Sequence, residues 1–270
     1  MTDPPLHAVA LTGEEVEQIV RACGCRALLV GGQSLAFWAR AFKVKPPGVL
    51  ADMVTTDADF IGSRADAACL RSGLGYPWEL RIAALEDQTG QTAKVFARTP
   101  GGGAKQVDFL SGIVGLDTAK IQARAVEVEL ASGACLRVLH PLDVLESRLR
   151  NLDTLPDKRC AAGIAQAALA IAIVRRFIES ELERATTPRV ALQAINRVIK
   201  IALDARLSLV ALDHGLDVLD AVPAERIAAP QFQTQRWPRV LERLAVRRAK
   251  HAALAQRRAA LLDRRPKRPR

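Results

Sequence analysis

Two aspartates stand two residues apart in Val54-Thr55-Thr56-Asp57-Ala58-Asp59-Phe60-Ile61, and a third sits in Lys105-Gln106-Val107-Asp108-Phe109-Leu110. Both stretches read as strands, whose side chains alternate between two faces. Asp57 and Asp59 therefore share one face, while Thr56, Ala58 and Phe60 share the other, which a helix can cover. Carboxylates in this relation lie roughly 7 Å apart at Cβ, a placement that suits a cation between them. Asp108 likewise faces away from Val107 and Phe109. Solvated charges on an edge strand would show the same pattern without any chemistry. Two like charges about 4 Å apart, however, repel by roughly 1 to 4 kcal/mol over effective dielectrics from 80 down to 20. No Lys or Arg neighbours Asp57 or Asp59 in sequence, so a bound cation is the direct way to offset that repulsion.

The elements that must position these residues follow from periodicity and punctuation. Thr12-Gly13-Glu14-Glu15 predicts a capped helix start, with Val16, Ile19 and Val20 as its apolar stripe and an end near Gly24. Ala27–Val30 is an apolar, strand-like run broken by Gly31-Gly32; Gln33-Ser34 leads into a helix over Leu35–Ala39. A polar loop spans Lys43–Gly48 before the Asp57 strand. Ser63 caps a helix over Arg64–Leu70, stopping before Gly73 and Gly75. Strands are predicted over Leu80–Leu85, Thr92–Ala97 and Lys105–Leu110, the last two joined by Pro100-Gly101-Gly102-Gly103, and a hairpin over Ala125–Leu130 and Cys135–Leu139. From Pro141 the pattern turns helical: Leu142, Leu145, Leu149 and Leu152 step by three and four behind an N-terminal proline. Further helices are predicted over Ala161–Glu183, with Ile164, Ile171, Val174, Ile178 and Leu182 on one face, over Val190–Leu207 after Thr187-Pro188, and from Trp237-Pro238 to Leu262. Shorter helical pieces fill 208–228. No internal repeat is visible.

Composition sets the outer bounds. At 270 residues with 49% hydrophobic residues the chain can build a sizeable core, and with 4% aromatics that core must be filled by Ala, Leu, Val and Ile. No charge-free apolar run reaches the ~20 residues of a membrane span; Ala161–Val174 reads as a buried helix. The start Met-Thr-Asp-Pro-Pro lacks the basic and apolar blocks of a signal peptide. Five cysteines, an odd number, suit reduced thiols in a cytoplasmic protein, and Cys23 and Cys25 lack a second ligand pair at zinc spacing. The net charge of +10 is concentrated at one end: residues 236–270 hold 13 Lys or Arg against two acids, while the rest holds 26 against 27. The body is near neutral, and the arm is placed to meet a polyanion.

The order of these features (a Gly-Gly-x-Ser turn opening a helix, a strand with Asp-x-Asp, a later strand with one more Asp among apolar neighbours) resembles the nucleotidyltransferase superfamily of DNA polymerase β over roughly residues 10–140. The hairpin over 125–139 leading into the Pro141–Leu152 helix and a helical remainder makes the chain similar to the AbiEii-type toxin nucleotidyltransferases. The resemblance implies an α+β fold: a polymerase-β-type mixed sheet with flanking helices over 1–140, a helical domain over 141–236, and a basic helix and tail over 237–270. It implies that Gly31, Gly32 and Ser34 hold the triphosphate and that Asp57, Asp59 and Asp108 bind two Mg²⁺ ions. The implied activity is transfer of a nucleoside monophosphate from an NTP to an acceptor hydroxyl, an RNA 3′ end first and a protein second. A toxin role with a restraining antitoxin protein would follow.

The chemistry suits these residue types. In-line attack on the α-phosphate builds charge on the phosphoryl oxygens and the pyrophosphate leaving group. Carboxylate-held Mg²⁺ can acidify the attacking hydroxyl and clamp the leaving group. Glycine lets backbone N–H groups approach the phosphates at a helix N-terminus. Ser34 is alternatively the N-cap of its helix. The family commonly carries a Lys in the helix matching Pro141–Leu152; Arg148 is the nearest counterpart, as a phosphate ligand or as an exposed helix arginine. A Lys followed by Asp is also usual, where this chain has Asp157-Lys158-Arg159-Cys160. Gly101–Lys105 lacks the order of a phosphate loop and reads as a hairpin turn. Asp213, Asp217 and Asp220 beside His214 read as a solvated helix surface. The arm (Arg239, Arg243, Arg247, Arg248, Lys250, Arg257, Arg258 and residues 264–270) either grips RNA phosphates, as of a transfer RNA, or is a solvated terminus. The competing class is a non-catalytic nucleic-acid- or partner-binding protein that keeps the fold.

Overall fold

The computed structural model describes residues 7–50, 57–84, 90–184 and 189–263. Outside them lie the first half of the Asp57 strand (54–56), Leu85, Thr187-Pro188 and the basic tail 264–270. The chain divides into two compact units, Met1–Ile173 and Val174–Arg270.

The first unit is built on a mixed sheet of eight strands: β1 (His7–Ala8), β2 (Leu28–Leu29), β3 (Asp57–Ile61), β4 (Glu79–Ile82), β5 (Gln91–Arg98), β6 (Gly103–Leu110), β7 (Val126–Glu129) and β8 (Cys135–Val138). Their order is β4-β5-β6-β3-β2-β8-β7, with β1 added to β6. β3 is thus a central strand, parallel to β6 and antiparallel to β2, which removes the edge-strand reading of its aspartates. One face of β3 presents Ala58 and Phe60, both buried, and Phe60 stacks on Phe109 of β6 with ring centroids 6.0 Å apart. The sheet is α+β in class, with helices laid against it.

Local signals place those helices. α1 (Gly13–Cys23) carries the expected capping box: the Glu15 N–H donates to Thr12 Oγ1 at 3.2 Å and the Thr12 N–H to Glu15 Oε2 at 2.8 Å. α3 (Arg64–Leu74) opens on a second box between Ser63 and Asp66 and continues through Gly73 to stop at Gly75. α4 (Thr118–Ala123) was not foreseen; one turn and a half is too short for periodicity to reveal, and Asp117 caps it by accepting from the Lys120 N–H at 3.1 Å. α5 (Pro141–Thr154) is capped by His140, whose Nδ1 accepts from the Leu142 N–H at 3.2 Å. Its stripe of Leu142, Leu145, Leu149 and Leu152 is buried throughout, consistent with 3.6-residue periodicity reporting a core-facing side.

Cysteine pairing corrects the expectation of reduced thiols. Cys25 and Cys135 are disulfide-bonded, with Cα atoms 5.5 Å apart; Cys23, Cys69 and Cys160 are free. The pairing is invisible in sequence because 110 residues separate the partners. It follows from parallel β2 and β8, whose entry ends lie side by side with Leu28 opposite Arg137.

The second unit is helical. α6 (Ala161–Arg184) runs through the boundary between the units. It is long and apolar enough to cross a membrane by length and composition, but Ile171, Val174 and Ile178 are buried. The single helix expected over Val190–Leu207 is two: α7 (Arg189–Ala202) and α8 (Ala205–Asp213), broken where Asp204 turns its carboxylate onto the Arg206 and Leu207 N–H groups at 2.9 and 3.0 Å. Asp is a better cap than helix interior, for the same reason in both roles. α9 (Trp237–Asp263) follows a π-helical turn over Phe232–Arg236.

Candidate active site

The three aspartates converge. Parallel pairing of β3 with β6 sets Asp59 directly opposite Asp108 and Asp57 opposite Gln106. Two residues along each strand return to the same face, so all three carboxylates project together. Their ligand oxygens lie within 4.8 Å of one another, each half-buried. Burial, with the Asp57 and Asp108 charges added to it, pushes the Asp59 carboxyl up to about 6. Asp108 is also raised, by burial first, against the pull of Lys94.

The Gly31-Gly32 turn meets this cluster from the neighbouring strand. The Val30 N–H donates to the Asp59 carbonyl at 2.9 Å, so the end of β2 is fastened to the strand bearing the acids. Gly31 has φ +64°, and a Cβ there would fall 2.0 Å from Asp59 Oδ2. Only glycine permits both the conformation and the approach. α2 (Gly31–Ala41) begins at these glycines, four residues earlier than the Leu35 start read from sequence. Val30 is the N-cap and has no side-chain oxygen to offer, so the first N–H groups of α2 have no side-chain cap, and Gly31 and Gly32 line the cavity beside Asp57 and Asp59. The N-cap alternative for Ser34 is therefore corrected. Ser34 is buried and its Oγ donates to the Gly31 carbonyl at 2.9 Å, and it does not line the cavity beside the aspartates.

That cavity, of about 400 Å³, is lined by Gly31, Gly32, Asp57, Asp59, Arg148 and Lys158 among others, whereas Asp108, like Ser34, does not line it and joins the site through its carboxylate beside those of Asp57 and Asp59. Arg148 is not the exposed helix arginine that sequence allowed. It is 7% exposed, its Nη1 donates to Gln166 Oε1 at 3.0 Å, and its Nε is buried without a hydrogen-bond partner. α5 places it there because its own leucine stripe fixes which side of the helix packs inward. Burial lowers the Arg148 pKa and the Asp59 charge opposes that fall. Lys158, from the Asp157-Lys158 pair, also acts on Asp59. A mostly apolar cavity of about 440 Å³ lies against the other face of β3, lined by Ala58, Phe60, Leu29 and Phe37; it gathers no comparable set of ionisable groups.

Four nearby residues carried no site signal in sequence. Gln91 Nε2 donates to Asp108 Oδ1 at 2.7 Å, and Lys94 Nζ lies 3.4 Å from the same oxygen. Asn151 and Gln166 line the cavity from α5 and α6. Only the β5–β6 hairpin register, which pairs Lys94 with Asp108, could have found Lys94, by counting outward from the Gly101–Gly103 turn. In the second unit, Asp213 Oδ1 lies 2.7 Å from His251 Nε2, within hydrogen-bond distance, and Asp217 is ion-paired with Arg248.

Carboxylate oxygens alone, without thiolate or imidazole, form a hard donor set of the kind that holds Mg²⁺ or Mn²⁺. Arg148 and the uncapped N-terminus of α2, both on the wall of the same cavity, place hydrogen-bond donors beside this carboxylate set. No family model matches the sequence, and no curated protein is significantly similar to it. Among solved structures, the chain resembles JHP933 from Helicobacter pylori (11% identity, 92% of this chain and 94% of that one, TM-score 0.36). It also resembles a candidate nucleotidyltransferase from H. pylori (10% identity, 90% and 99%, TM-score 0.37). A third likeness is the Megavirus polyadenylate synthase (13% identity, 72% and 42%, TM-score 0.38). Likenesses this distant transfer no activity to the chain.

Proposed function

We propose that this chain is a nucleotidyltransferase of the polymerase-β type, moving a nucleoside monophosphate from an NTP to an acceptor hydroxyl. The observation that carries this reading is the meeting of three carboxylates with a glycine-opened helix and a buried arginine bearing an unsatisfied N–H. Asp57, Asp59 and Asp108 would hold divalent cations, which supply charge neutralisation and an acidified acceptor hydroxyl when bound. The Gly31 and Gly32 N–H groups and Arg148 bind phosphoryl oxygens, and hold the α-phosphate in line with the acceptor. A bond forms from the acceptor oxygen to the α-phosphorus as the bond to pyrophosphate breaks. The acceptor hydroxyl loses its proton to solvent water, and the charge that develops on the departing pyrophosphate would fall where Arg148 and Lys158 can meet it. Arg148 gains a charged hydrogen bond from its cavity-facing guanidinium when phosphate arrives.

An RNA 3′ end is the acceptor best supported. On α9, Arg239, Arg243 and Lys250 are exposed, whereas Arg247 donates to the Asp204 carbonyl and Ser208 Oγ, and Arg248 pairs with Asp217. The cationic face is therefore narrower than the sequence implied. Incubation of radiolabelled NTPs with total RNA and Mg²⁺, comparing wild type with Asp57→Ala/Asp59→Ala, tests the activity. Label entering RNA with wild type alone supports the enzyme. Equal labelling by both, or none by either, leaves the non-catalytic binding protein. The toxin and antitoxin roles rest on the sequence resemblance; growth arrest on expression that vanishes in the double variant is their test.

A further inference from the structure

Asp108 differs from the other two aspartates in what already holds it. Its Oδ1 accepts from Gln91 Nε2 at 2.7 Å and stands 3.4 Å from Lys94 Nζ. Lys94 does not swing freely, because its Nζ also donates to Gln106 Oε1 at 3.0 Å, and Gln106 lies two residues before Asp108 on β6. The ammonium is thus pinned on the same face as the carboxylates by the β5–β6 register. Its side chain is 31% exposed, against 14% for Asp108, so solvent screens the pair only in part.

We infer that Lys94 and Gln91 are positioning residues that reserve one oxygen of Asp108 for the protein and leave the other for a cation, with Lys94 acting as a built-in counter-charge that weakens divalent binding at the triad. The inference rests on the metal-binding reading of Asp57, Asp59 and Asp108. Three physical consequences follow. Asp108 would ligate through its other oxygen, because Oδ1 already accepts the Gln91 hydrogen bond and faces the Lys94 ammonium. A fixed positive charge beside the site opposes a divalent ion and favours the polyphosphate that accompanies it. Metal-free protein is also relieved of part of the three-carboxylate repulsion, so the cluster stays assembled before any cation arrives.

The test is a titration of the full-length chain with Mn²⁺, reading free Mn²⁺ by electron paramagnetic resonance at low ionic strength, with circular dichroism to confirm the fold. Lys94→Met is expected to bind Mn²⁺ roughly tenfold more tightly than wild type. That is the effect of a unit charge on a divalent ion at about 6 Å through a water-like dielectric. The gain shrinks as KCl is added, and Lys94→Arg, which keeps the charge, stays close to wild type. Lys94→Gln serves the same purpose should the Met variant not fold. Unchanged or weaker Mn²⁺ binding in folded Lys94→Met, or a gain insensitive to salt, overturns the inference. Mn²⁺ bound equally by wild type and Asp57→Ala/Asp59→Ala, or by neither, overturns the metal-binding reading itself. The two failures are therefore separable.

Discussion

Gly31→Ala is the sharpest perturbation of the site, because it replaces one hydrogen by a methyl group at a single point. The added Cβ meets two obstacles. At φ +64° an L-residue sits in the left-handed region, costing roughly 1 to 2 kcal/mol. The Cβ would also fall 2.0 Å from Asp59 Oδ2, so the Asp59 side chain must turn off its rotamer, at roughly 0.5 to 1.5 kcal/mol. Together these destabilise by about 1.5 to 3.5 kcal/mol, which at ~2 to 4 °C per kcal/mol for a unit of this size lowers the unfolding midpoint by roughly 3 to 14 °C. Gly13→Ala is the matched control: nothing lies within 4 Å of its Cβ and its φ is not positive. Thermal unfolding followed by circular dichroism reads the stability, and Mn²⁺ binding reads the displaced Asp59. Gly31→Ala unfolding at the same temperature as Gly13→Ala, with undiminished Mn²⁺ affinity, would refute the placement of the turn against the carboxylate.

Three further outcomes are expected. Arg148→Met keeps or raises the unfolding midpoint, since it removes a buried charge with an unsatisfied N–H, while NTP affinity falls tenfold to a hundredfold, the worth of a charged hydrogen bond; a lowered midpoint with unchanged NTP affinity makes Arg148 purely structural. Folded Asp59 holds a proton to about pH 6 that the unfolded chain releases near 3.8, so metal-free stability is fullest below that window and declines as pH rises through it. Urea midpoints at pH 5 and 7.5 should show that slope in wild type and a shallower one in Asp59→Asn, with Mg²⁺ restoring stability at pH 7.5; an equal slope in both counts against the coupling. Thiol titration of the denatured chain should find three thiols before reduction and five after, and reduction should cost on the order of 4 kcal/mol for a closed loop of 110 residues; five thiols without reductant would remove the Cys25–Cys135 bond.

Local chemistry was legible wherever a few consecutive residues decide the outcome. The Thr12 and Ser63 caps, the Gly-Gly turn, the alternation that buries Ala58, Phe60, Val107 and Phe109, and the leucine stripe of α5 all follow from side-chain type and spacing. The helix break at Asp204 and the short α4 were missed, although each is set by one capping aspartate, because a single cap competes weakly with a surrounding apolar pattern. The resemblance singled out Asp57, Asp59, Asp108, Gly31, Gly32 and Ser34; the structure brings the three carboxylates and the two glycines together, whereas Ser34 is buried with its hydroxyl on the Gly31 carbonyl.

The amino-acid sequence by itself determined which residues could bear charge, which faces had to be covered, and where helices and turns begin. Tertiary structure alone decided which distant residues meet. Strand order put Asp59 opposite Asp108 and Cys25 beside Cys135, hairpin register brought Lys94 to Asp108, and inward packing of α5 turned Arg148 from a surface arginine into a buried one. The physical reason is range. Caps, turns and alternation are fixed by interactions within about four residues along the chain, whereas electrostatic partners and buried polar atoms depend on contacts that exist only after the sheet has closed its loops.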